Sequence, residues 1–130
     1  MKEEDKEETE HWLQEFMTLY EQAETLILKI AKVDADGMPT DLRTLMEGSE
    51  KLPPILKSVK EISKPKEKEL RKLKKEFQDI LDACIKASEW GVKLAQDPNR
   101  VRFANIVFWT TFASGLMESF SKRLTSLPPE

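Results

Sequence analysis

Side chains able to attack, ligate a metal or carry a proton near neutral pH are scarce in this sequence. It holds one cysteine, Cys84, and one histidine, His11. A thiol nucleophile needs a base beside it. These two residues fall on different segments, so no catalytic pair is expected. A single cysteine also excludes a disulfide framework and a cysteine zinc site. Asp34, Asp36 and Gly37 resemble the start of a calcium loop. With Gly37 at loop position 6, however, positions 1 and 12 are Lys32 and Arg43. Cations stand where that loop needs oxygen ligands, so the stretch reads as an acidic turn ending a helix. No catalytic residue, metal site or cofactor is expected.

Two carboxylate groups and one run of cations remain. Glu3, Glu4 and Glu7 spell E-E-x-x-E, and Glu76 with Asp79 spells E-x-x-D. In letters this is similar to the Mg²⁺-holding acids of all-α nucleotide pyrophosphohydrolases. That similarity implies a metal-dependent hydrolase of nucleotides or phosphoesters, kept here as the third reading. Metal-binding acids must be held inward by a supporting shell. These lie outside the apolar stripes and read as solvated faces. Residues 64–75 carry seven lysines and arginines against Glu67 and Glu69, a local net of 7 − 2 = +5. Such a run can neutralise phosphates. Yet the whole chain is at −3, and no aromatic or Gly-rich reading surface accompanies the run. The first ten residues, with six acids and two lysines, can offset it within the molecule or across a dimer. Nucleic acid is therefore not the expected partner.

The most informative stretch is apolar. Residues 103–117, FANIVFWTTFASGLM, hold no charge over 15 positions. That falls short of the ~20 residues a helix needs to span a bilayer. The acidic start also lacks the pattern of a secretory signal, so the chain reads as soluble and cytoplasmic. Four helical turns without charge are either buried all round or shared with another chain. A bundle helix keeps one side in water, so an apolar strip there marks an association site. Two-fold self-association is the commonest answer. Phe108, Trp109, Phe112, Leu116 and Met117 are the expected interface. The second reading is a pocket for a small apolar molecule or lipid. Cys84, Ala87 and Gly91 are small residues along one helix face, placed to meet Trp109, Phe112 and Leu116, with Asn105 as a polar group in the wall. Asn105, Thr110, Thr111 and Ser114 can instead bond back along their own helix.

These side chains must be carried by helices, because the apolar spacing is 3.6-like throughout and nowhere alternates as a strand. Over 5–33, Leu13, Phe16, Tyr20, Ala23, Ile27 and Ile30 make a heptad seam, stopped by Gly37. Over 40–63, Thr40 or Asp41 serves as N-cap. The seam there is Leu42, Leu45, Ser49, Leu52, Leu56, Val59 and Ile62, with Gly48 and the Pro53, Pro54 pair marking a break. Over 65–96, Pro65 suits a first turn. Its seam runs Leu70, Leu73, Phe77, Ile80, Cys84, Ala87, Gly91 and Leu94. The last helix opens on Asp97 as cap and Pro98 as first residue, and runs to about 127. The expected architecture is an all-α, up-down four-helix bundle, with the second helix kinked or broken at Pro53 and Pro54. It forms one domain over 1–130, fraying at 1–10 and 126–130.

Overall fold

The computed structural model describes residues 3–31 and 42–126. They form four helices: α1 (Glu3–Ala31), α2 (Leu42–Glu61), α3 (Lys68–Gln96) and α4 (Arg100–Thr125). Among the described residues there is no strand. The stop at Gly37, the cap at Thr40 or Asp41, the acidic turn at Asp34 and Asp36, and the closing prolines Pro128 and Pro129 lie outside the described residues.

Contacts between helix ends fix the up-down order. Trp12 near the start of α1 donates its indole N–H to the Ser63 carbonyl just after α2, at 2.7 Å. Gly91 near the end of α3 lies against Leu45 near the start of α2. Arg123 near the end of α4 reaches Glu69 near the start of α3, Nη1 to Oε2 at 3.0 Å. Each consecutive pair is therefore antiparallel.

The α1 and α3 seams are buried apart from the half-buried Leu13 and Leu94, whereas on α2 Leu45, Leu52 and Val59 are buried and Ser49, Leu56 and Ile62 are half-buried. On α1 the buried residues are Trp12, Phe16, Tyr20, Ala23, Ile27 and Ile30, with Trp12 taking the core place expected of the half-buried Leu13. Five aromatic rings gather at one end of the bundle. Phe77 lies 5.3 Å from Phe16 and 5.8 Å from Phe120, centroid to centroid, with Tyr20 and Trp12 completing the cluster. Each fully buried ring or large aliphatic chain contributes about 1.5–3 kcal/mol of burial free energy.

The central helix is α3, which packs against α1, α2 and α4, whereas α2 and α4 do not touch among the described residues. Small buried residues on α3, namely Ala83, Cys84, Ala87, Ser88 and Gly91, let its neighbours crowd in. The apolar α4 thus has an outer place in the bundle.

Four local expectations shift. Gly48 does not break the chain but lies buried inside α2. A Cβ there would collide with Ser88 Oγ and would stand 2.7 Å from Ile30 Cδ1. Glycine at this point lets α2 approach α1 and α3. Second, α2 runs as one helix through Pro53 and Pro54, so it is not two short pieces. Both prolines are exposed, where water can meet the carbonyls left without a donor. Third, the α3–α4 turn uses different caps. Asp97, extended as a residue before proline must be, closes α3 by donating its N–H to Lys93 O at 3.0 Å. Asn99 caps α4, its Oδ1 accepting from Arg102 N at 2.9 Å. Pro65 is buried in the linker instead of opening α3, which starts at Lys68 behind an extended Glu67.

Candidate functional site

On α4 the buried residues are Ile106, Thr110, Ala113, Met117 and Phe120. Their steps of 4, 3, 4 and 3 describe one narrow seam. At 100° per residue, the direction opposite that seam is taken by Val101, Ala104, Phe108, Thr111, Phe112 and Gly115, all exposed. α4 therefore carries two apolar stripes, and the bundle covers one. Phe108 is 57% and Phe112 46% exposed. Their rings are parallel within 5° at 6.2 Å between centroids. Trp109 meets both edge-on, at 5.0 and 5.9 Å.

Trp109 and Leu116 form the shoulder of this strip, half-buried against the core. The Lys86 ammonium from α3 sits 4.5 Å above the Trp109 ring, an attraction of cation to ring quadrupole that holds the indole down. Met117, expected at the interface by its side-chain type, is 7% exposed. It belongs to the inner seam and is not available to a partner. Three features escaped the sequence reading. Val101 is 67% exposed at the head of the strip. Lys86 braces the indole. Gly115 sits exposed with nothing within 4 Å of where a Cβ would be. The position of Gly115 two turns after Phe108 is legible on a helical wheel, whereas the Lys86 contact depends on how α3 and α4 meet.

The residues considered for a pocket are placed differently from the expectation. The atoms nearest to the missing Cβ of Gly91 belong to α2, not to the α4 rings. Leu45 of α2 fills the space above it, its Cδ1 2.7 Å from the Cβ position. Cys84 and Ala87 are fully buried. Burial pushes the Cys84 thiol up to about 12, which keeps it protonated and unreactive. Asn105 donates from Nδ2 to Val101 O at 2.8 Å, and Thr110 from Oγ1 to Ile106 O at 2.9 Å. Both bond back along α4 as such residues do. Two open grooves flank His11, one lined by Glu8, Trp12, Lys64, Pro65 and Lys66, the other by Glu15, Leu19, Ser58 and Glu61.

Several of the charged groups pair with one another. Lys66 reaches Glu8 at 3.3 Å, so the acidic start of α1 does meet the basic run, here within one molecule. Glu76 is held by Arg123, and Asp79 by Lys75 at 2.8 Å. The side chains of Glu3 and Glu4 lie outside the described residues. Among the described residues, no three of His, Cys, Asp and Glu gather as metal ligands, and no helix is long and apolar enough to cross a membrane. No family model, curated protein or solved structure matches this chain.

Proposed function

We propose that this chain is a protein–protein association module that works through the outer face of α4, and that its first partner is itself. The observation that carries this reading is the pair of parallel rings, Phe108 and Phe112, held in water on a stretch with no charge from 103 to 117. Exposed aromatics of this kind are costly to solvate and are enriched at the centres of interfaces. The lone buried thiol fits a reducing compartment such as the cytoplasm.

Taking about 200 Å² for a free phenylalanine, the exposed parts of Phe108 and Phe112 together come to about 200 Å². A standard interface takes about 800 Å² from each partner. The two rings are thus the anchor, and the rest of the strip must supply the remainder.

Sedimentation equilibrium across micromolar to millimolar concentration tests the proposal. The expected result is a concentration-dependent rise in mass, abolished by the double variant Phe108→Glu, Phe112→Glu with its helical circular dichroism unchanged. A monomer at every concentration refutes it.

A further inference from the structure

Away from α4, where the linker after α2 meets α3, the residues Lys64, Arg71, Lys74, Lys75 and Gln78 line an open concavity of about 160 Å³. We propose that this concavity is a site for one phosphate group, carried as a monoester by a small molecule, with Arg71 and Lys74 as its main ligands and Lys64 closing it from the linker. This stands apart from the association reading, since none of these residues is on α4.

Spacing builds the site. Arg71, Lys74, Lys75 and Gln78 stand at i, i+3, i+4 and i+7, so α3 carries all four along one face. Lys64 joins them beside the buried Pro65. Lys74 is half-buried and donates from Nζ to the Ile62 carbonyl at 3.1 Å, which fixes its ammonium at the concavity. That bond uses one of three donors and leaves two.

The charge there is not balanced. Elsewhere on α3, Lys72 meets Glu69 at 3.7 Å and Lys86 meets Asp82 at 3.0 Å. Lys75 also meets Asp79, at 2.8 Å. Among the described residues, however, no carboxylate pairs with Lys64, Arg71 or Lys74. Burial, and then the nearby Lys64 charge, hold the Lys74 ammonium below the ordinary lysine range. A chain at −3 overall has acids to spare, yet three cations crowd here without one. An anion seated between them turns that repulsion into attraction.

Phosphate suits the donors. A guanidinium offers a planar fork matched to two phosphate oxygens, while the ammonium groups and the Gln78 amide add single donors. The patch is also short. Glu67 and Glu69 precede it on α3, and Asp79 and Asp82 follow. From Arg71 to Gln78 the helix rises only about 10 Å. A nucleic-acid strand would carry its further phosphates over those acids, and no aromatic side chain lines the concavity for a base to stack on. A single phosphate group meets neither obstacle.

The test is NMR of the full chain, titrated near neutral pH with inorganic phosphate in place of chloride at constant ionic strength. Saturable shifts centred on Arg71, Lys74 and Gln78 are expected within the millimolar range, and methyl phosphate should reproduce them. Arg71 is exposed, so Arg71→Gln leaves the core intact. It is expected to raise the dissociation constant about tenfold or more by removing charge-assisted hydrogen bonds. Lys51→Gln removes the same charge from an exposed lysine of α2 and is expected to change binding less than about twofold, because screening weakens distant charges. Equal shifts with chloride, or equal losses in the two variants, overturn the site. Tighter capture by an oligodeoxythymidylate or by phosphatidic acid vesicles, with shifts spread beyond these residues, would assign the charge to a polyanion surface and overturn it too.

Discussion

Changing glycine to alanine at two positions should have opposite effects in the same protein. Gly48 and Gly115 are both inside helices, α2 and α4. On helix propensity alone, each change gains about 1 kcal/mol. At Gly115 nothing opposes that gain, because the new methyl meets no atom within 4 Å. At Gly48 the methyl would stand 2.7 Å from Ile30 Cδ1 and in collision with Ser88 Oγ. The serine is fixed by its own bond to Cys84 O at 2.8 Å and is fully buried, so it has little room to turn. Overfilling a packed core costs about 1–3 kcal/mol. The net expectation is a destabilisation of about 0–2 kcal/mol for Gly48→Ala and a stabilisation of up to about 1 kcal/mol for Gly115→Ala. Urea unfolding followed by helical circular dichroism measures both. The Phe108→Glu, Phe112→Glu background keeps association from adding its own stabilisation. Equal gains at the two sites would refute the close approach of α2 to α1 and α3, and with it the account of why a glycine interrupts the α2 seam.

Phe16 is fully buried and touches Trp12, Phe77 and Phe120, so Phe16→Ala should cost about 3–5 kcal/mol in the same urea assay. With its folded value pushed up to about 12, the Cys84 thiol should ignore a thiol-specific reagent at pH 8 until denaturant is added. Above the ordinary thiol range the unfolded chain gives up this proton while the native chain keeps it. Stability from this group is therefore complete below about pH 9 and declines from there towards pH 12, which pH-dependent urea midpoints would show. Arg123 holds Glu76 and Glu69, and Glu76 Oε2 is buried without a partner among the described residues. Arg123→Gln should lower the unfolding midpoint, and adding Glu76→Gln should recover part of the loss by removing the stranded charge.

The heptad seams could be read because they depend only on which residues share a helix face. Phe16, Tyr20, Ala23, Ile27 and Ile30 on α1, and the α3 row from Leu70 to Gly91, are buried as their spacing requires. What could not be read depends on neighbours distant in sequence. Gly48 carries the local signature of a break, and only the meeting of α1, α2 and α3 explains why a helix keeps it. Pro53 and Pro54 likewise suggest a stop. Their exposed side and the preserved phase of Leu52 and Val59 let α2 continue. The central place of α3 was not legible for a related reason. α4 has the most apolar stretch, yet the small residues of α3 allow α3 to be surrounded. For the candidate site, residue type pointed to Phe108, Phe112 and Met117 alike. Angular position separates them, since Met117 keeps step with Ile106, Ala113 and Phe120, and the two phenylalanines do not.

That angular separation has an evolutionary corollary. One stripe of α4 is committed to holding the subunit together, while the rings of the other meet the core only through the half-buried Trp109. Mutation can therefore redraw whom this helix greets, residue by residue, without renegotiating how the chain folds.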